Sequence, residues 1–164
     1  MANAITRMHW AAAKARRHPR YAAHYVRRPK RYVLGVRISG IVQQSVTPTD
    51  DTLIDGVIQG SVEIKSPANV DLRGSIQGST TVESGARLVI TGAQQGSVTV
   101  RPGAHVLVEP TGKLTGSLWN DGQVVVRGVF AGSQAGMAQI ELEGAGWIRP
   151  PDEILPDGTH VYRW

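Results

Sequence analysis

The chain has no cysteine, which excludes a disulfide framework and any thiolate metal site. It has no apolar run near the ~18 residues that a membrane-spanning helix needs. Its first residues also lack the apolar stretch of a secretory signal, so a cytoplasmic setting is the expectation. The pattern GxxxxGK[ST] is missing, and the many glycines therefore do not build a phosphate loop. Acidic residues are missing from positions 1–49, which hold ten Lys or Arg. Positions 50–164 carry the other eight bases and all thirteen acids, a net charge of −5 (8 − 13). The overall charge of +5 thus belongs to the N-terminal segment, and the two parts have different work to do.

What the chain does have is a repeat. A glycine opens six near-identical hexamers: Gly40-Ile-Val-Gln-Gln-Ser45, Gly56-Val-Ile-Gln-Gly-Ser61, Gly74-Ser-Ile-Gln-Gly-Ser79, Gly92-Ala-Gln-Gln-Gly-Ser97, Gly112-Lys-Leu-Thr-Gly-Ser117 and Gly128-Val-Phe-Ala-Gly-Ser133. Their starts lie 16, 18, 18, 20 and 16 residues apart. That period is too short for a helical repeat unit and suits one rung of a β-solenoid, whose turns contact only their neighbours. Aligning the copies gives columns of apolar residues at i, i+2 spacing, such as Val70/Leu72, Leu88/Ile90, Val106/Val108 and Val124/Val126. Alternate strand residues share a face, so these describe the inside of a triangular coil with three short strands per turn. Gln94 is the one polar lapse in its column.

The corners and outer columns support the same register. Glycines at the corners supply positive φ and close backbone approach. The two extra residues of the 20-residue turn are Pro110-Thr111, and two are lost near Asn120-Asp121-Gly122, both at corners. Outward, Lys65, Glu83, Arg101 and Asp121 alternate in sign, and Arg73, Thr91, Glu109, Arg127 and Glu143 nearly do. Strands ~4.8 Å apart favour opposite charges on adjacent rungs. Gln43, Gln59, Gln77 and Gln95 would form an amide ladder. One outward column breaks the polar rule: Val89, Leu107 and Val125, flanked by Asp71 and Glu141. Such a stripe is covered either by a tail of the same chain or by another subunit.

Three segments follow: a basic N-terminal segment (1–36), the β-helix repeat domain (37–146) and a Pro/Trp-rich C-terminal cap or tail (147–164). Residues 1–18 could form a basic helix that Pro19 and Pro29 limit. Basic residues of the first segment, Arg16, Arg17, Arg20, Arg27, Arg28, Lys30 and Arg31, interleave with Tyr21, Tyr25 and Tyr32. This suits a polyanion, either an anionic membrane or a nucleic acid. A purely solvating tail is the alternative. Three prolines in the C-terminal segment oppose regular strand pairing, yet its aromatic residues are too apolar for free disorder.

Catalytic groups do not assemble. His105 stands alone in an outward column with Asn69, Arg87, Gln123 and Gln139, whereas catalytic zinc normally takes three protein ligands. The corner serines recur on every turn without a base beside them. No cofactor or metal site is expected, and the chain does not read as an enzyme.

The glycine-opened rungs, with stretches such as Gly74-Ser-Ile-Gln-Gly-Ser79 and Ala86-Arg-Leu-Val-Ile-Thr-Gly92, resemble the bactofilins over residues 35–145. The resemblance implies an all-β, right-handed triangular β-solenoid of about six rungs. It implies polymerisation end to end without nucleotide into a bacterial cytoskeletal scaffold, with tails that can touch a membrane. The long basic N-terminal segment and aromatic C-terminal one depart from that family, and a tail folded over an end rung would block stacking. On this view Ile38 and Ile41 at the first rung, and Phe130, Ile140 and Leu142 at the last, carry self-assembly. Val89, Leu107 and Val125 carry lateral or tail docking. The expected partners are further copies of the chain, a membrane surface or nucleic acid through the basic segment, and client proteins. A non-polymerising module that binds a protein or glycan is the alternative. A left-handed hexapeptide acyltransferase comes last, favoured only by six-residue spacings such as Ile58, Ile64, Val70 and Ile76.

Overall fold

A computed structural model describes residues 35–163. The expected helix at 1–18 and the basic candidates Arg16, Arg17, Arg20, Arg27, Arg28, Lys30 and Arg31 lie outside the described residues. Within them the chain is all-β, a parallel β-solenoid with three faces. The first sheet stacks Val36–Ile38, Thr52–Ile54, Asn69–Leu72, Arg87–Ile90, His105–Val108, Gln123–Val126 and Ile140–Leu142. The second stacks Ile41–Val42, Val57–Ile58, Ser75–Ile76, Ala93–Gln94, Lys113–Thr115, Val129–Ala131 and Trp147–Ile148. The third stacks Val62–Ile64, Thr80–Val82, Val98–Val100, Leu118–Asn120 and Gln134–Ala135, with Val46 on the first rung bridging up to Val62.

The strands are short because each must end at a corner after two to four residues. Within that length the alternation of the sequence sends one set of side chains inward. Val70, Leu72, Leu88, Ile90, Val106, Val108, Val124 and Val126 are all buried, as are Ile58, Ile76, Leu114 and Phe130 on the second face. Register pairs like with like, Val70 under Leu88 under Val106 under Val124. Each buried aliphatic side chain contributes ~1.5–3 kcal/mol. The columns repeat, so every interior rung is stabilised in the same way.

Thr52, Thr80, Gln94 and Asn120 are the polar side chains buried in the core, and the two amides bring their partners with them. Gln94 is fully buried. Its Nε2 donates to the Gly78 carbonyl at 3.1 Å, and its Oε1 accepts from Thr80 Oγ1 at 3.0 Å. Asn120 takes the place of an aliphatic residue above Val100. Its Nδ2 donates to Ala138 O at 3.2 Å and its Oδ1 accepts from Gly122 N at 3.2 Å. The missing two residues lie here: four residues separate Val100 from His105, but two separate Asn120 from Gln123. The shorter link is held by the asparagine side chain. The added pair, Pro110-Thr111, sits at the corner between the first and second sheets, where Thr111 Oγ1 donates to Thr91 O at 3.0 Å.

The corner glycines do less with φ than the sequence suggests and more with space. Among the glycines that open the hexamers only Gly40 has positive φ. A Cβ on Gly74 would lie 1.9 Å from Gly56 O, and one on Gly92 would lie 2.0 Å from Gly74 O. The second column behaves alike: a Cβ on Gly78 would meet Gly60 O at 2.2 Å, and one on Gly96 would meet Gly78 O at 2.3 Å. Each glycine leaves room for the carbonyl of the rung before it. This explains the exception in the first hexamer, Gln44, which heads that column with no described rung beneath it. Positive φ falls instead at the third corner, at Gly85 and Gly103, and at Gly116 in the second column; Gly85 and Gly103 are each followed by a buried alanine, Ala86 and Ala104.

The repeat also runs past the expected boundary at 146. Trp147–Ile148 continues the second sheet in parallel with Val129–Phe130, and Pro150 and Pro151 stop it there. Beyond them Glu153–Ile154 and His160–Val161 form a small antiparallel hairpin. Regular pairing in this segment was not expected; the prolines fall between the strands and so do not forbid it.

Candidate assembly surfaces

Among the described residues, the two ends of the solenoid expose strands with a partner on one side only. At the first rung these are Val36–Ile38 and Ile41–Val42. Their inward residues Ile38 and Val42, with Val46, pack onto the core but are only partly covered, and Val36 is exposed. Ile41 is 71% exposed, yet it belongs to the outer side of the second face, because its neighbour Val42 takes the inward place. It is therefore not an end-contact residue of the kind expected.

At the other end Ile140 is half-buried and Leu142 exposed, as an open last rung requires. Phe130 is different. It is 1% exposed, since Ile148 stacks on it in register, and so it is a core residue one rung below the end. Ile148 replaces it at the surface, and Trp147 stands beside it on the outer side; both are exposed. Sequence reasoning missed Ile148 because it ended the repeat too early. The signal that could have found it was Gly146, which falls 18 residues after Gly128.

The outward column holds the expected apolar run of Val89, Leu107 and Val125 between Asp71 and Glu141, with a further apolar residue, Leu53, beyond Asp71. Leu53, Asp71, Val89, Leu107, Val125 and Glu141 stack in register on the first face, with Arg37 below. Val89, Leu107 and Val125 are half-buried. The C-terminal hairpin does not lie on them. Gly158, Thr159, His160 and Tyr162 share a small cavity with Gly116, Ser117, Gly132 and Ser133. Those residues form the corner between the second and third sheets, which is turned away from the first.

Charges on the outer columns meet partly across rungs and partly along a strand. Arg127 bridges the rungs, at 2.8 Å from Glu143 and 3.6 Å from Glu109. Arg37 reaches up to Asp55 and holds its carboxyl below the usual carboxylate range. Lys65 and Arg73 instead pair along their own strands, with Glu63 at 2.5 Å and Asp71 at 3.0 Å. His105 Nδ1 lies 2.9 Å from Gln123 Oε1, a contact between neighbours in an exposed column. Ser133 Oγ bonds Ser117 Oγ at 3.1 Å, so these corner serines meet each other. Among the described residues no three His, Asp or Glu side chains could hold a metal ion.

One further surface was not foreseen. Trp119, half-exposed on the third face, donates its indole N–H to Asp121 Oδ2 at 2.6 Å. Asp121 Oδ1 accepts from Met137 N on the next rung at 2.9 Å. These bonds, the Met137 amide first, hold the Asp121 carboxyl below its usual range. In the hairpin, Asp152 is held low in the same way by Arg163 N and then by Arg149. Comparison of the chain with protein-family models, with curated proteins and with solved structures finds no match.

Proposed function

We propose that the chain is a structural, self-assembling scaffold that stacks end to end without nucleotide, as the resemblance to bactofilins implies. The observation that carries this reading is the pair of open ends. Among the described residues each presents strand N–H and C=O groups with no strand partner, which template further strands, around inward-column residues: exposed Val36 and half-buried Ile38 at one end, exposed Leu142 and Ile148 at the other. Stacking would extend the same columns that stabilise the interior rungs. No catalytic role is assigned. The basic segment would bring the polymer to an anionic membrane or a nucleic acid, and client proteins would dock on its sides.

A second reading, a non-polymerising module that binds a protein or glycan, draws support from the C-terminal hairpin. Arg149, Asp152 and Arg163 lock it, so the segment near the last rung is an ordered element able to restrict stacking. Sedimentation and electron microscopy of the purified chain separate the two. Filaments that disappear in Leu142→Lys and Ile148→Lys, with the circular dichroism spectrum kept, support the scaffold. A small discrete species at every concentration and salt refutes it. Deleting residues 1–31 should abolish binding to anionic liposomes or nucleic acid, and retained binding would refute the role given to that segment.

A further inference from the structure

On the first face most charges meet opposite charges when the face is reversed about one rung. Its central outward column reads Arg37, Leu53, Asp71, Val89, Leu107, Val125, Glu141 from the first rung to the last. The column beside it reads Asp55, Arg73, Thr91, Glu109, Arg127, Glu143 from the second rung on. From these columns we infer that two copies pair through this face, solenoid axes antiparallel, about a two-fold axis that runs along the strand Arg87–Ile90. In that register Val89 faces Val89 of the second copy, and Leu53 faces Val125. Arg37 faces Glu141, Asp55 faces Arg127, and Arg73 faces Glu109, each twice by symmetry, as an isologous contact requires.

The charges select this arrangement over its neighbours. Shifting the axis by half a rung toward Leu107 sets Asp55 against Glu143 and Arg73 against Arg127. Shifting it a full rung sets Asp71 against Glu141. Placing the axes parallel sets Arg37, Asp71 and Glu141 each against itself. Like charges directly opposed suppress such pairings. These side chains also have partners within their own chain, so the second copy joins existing ion pairs. Two elements are unfavourable: Asp71, which faces Leu107 and does so twice by symmetry, and Arg87, which meets its own copy at the edge of the face, where it is exposed.

The face has seven strands. At ~4.8 Å per rung and ~3.3 Å per residue it covers about 400 Å² per copy. That is roughly half of what a stable complex buries per partner. A single pair is therefore weak and reversible, and copies already joined in a row would reinforce it. The inference does not depend on end stacking.

The test uses the absence of native cysteine. Packed sheets lie about 10 Å apart, beyond direct disulfide reach, so a bismaleimide with a short spacer is the probe. Val89→Cys should cross-link to a dimer several-fold more than Thr99→Cys, which lies on the third face. Val125→Cys alone should stay at the Thr99→Cys level, and a mixture of Val125→Cys with Leu53→Cys should cross-link. In the Val89→Cys background, Asp55→Arg and Arg127→Asp should each lower the yield, and the two together should restore it. Val89→Cys yields no higher than Thr99→Cys, or Val125→Cys linking to itself as well as Val89→Cys does, would overturn the inference. Filaments without the Val89→Cys product reject this face while leaving end stacking intact; the product without filaments does the reverse.

Discussion

Replacing Gly92 by alanine should damage the solenoid out of proportion to the single methyl added. The new Cβ would lie 2.0 Å from Gly74 O and 2.4 Å from Arg73 O, where ordinary contact begins at 3.4 Å. To relieve the first contact the two rungs must part locally by about 1.4 Å. The atoms they would pull apart include the bonds Gly92 N to Leu72 O and Ala93 N to Gly74 O, both 2.9 Å. Leaving two such backbone pairs unmade costs ~1–3 kcal/mol each, or roughly 2–6 kcal/mol in all. Two controls separate crowding from other effects of glycine. Gly144→Ala has nothing within 4 Å but a φ of +59°, which costs about 1 kcal/mol after the gain from a stiffer unfolded chain. Gln44→Ala probes the head of the other glycine column, where a side chain already stands, and should fall within ~0.5 kcal/mol of the parent. Urea unfolding followed by circular dichroism measures all three. If Gly92→Ala is no more destabilised than Gly144→Ala, the close approach of the rungs is not what demands glycine there.

Other consequences are open to similar checks. Thr80→Val should destabilise by about 1–3 kcal/mol, because it strands the buried Gln94 Oε1; Thr80→Val with Gln94→Ile should recover most of that, and simple additivity in the double-mutant cycle would contradict the coupling. Asp121 has its folded pKa lowered, so its contribution is present above the unfolded value near ~3.9 and is lost as pH falls through the lower folded value. Its loss should appear as an acid-range change in Trp119 emission that Asp121→Asn removes, and an unchanged titration in that variant would disprove the assignment. Arg149→Ala should raise protease sensitivity around residues 152–163 without moving the main unfolding transition. A main transition that moves with it would mean the hairpin is integral to the last rung.

Much of this molecule is legible in its sequence because a solenoid converts period directly into position. Val70, Leu88, Val106 and Val124 fall into one column by spacing alone, since every rung repeats the same local geometry. Corner insertions such as Pro110-Thr111 can be placed for the same reason. The surfaces are less legible. Spacing assigns Ile41 and Phe130 to the end contacts, but neither presents an inward side chain at an open end. One is turned outward by the strand alternation; the other is covered by a rung that the prolines conceal. Leu53, Ile148 and Trp119 take their places only through the stacking of one rung on the next.

The sequence by itself determined the period, the inward columns and the division into a basic segment and an acidic body, because those follow from spacing and charge along the chain. The tertiary structure decided why the corners are glycine, which residues end the stack and which charges meet. Those depend on the distance from one rung to the next, and that distance exists only after the chain has coiled.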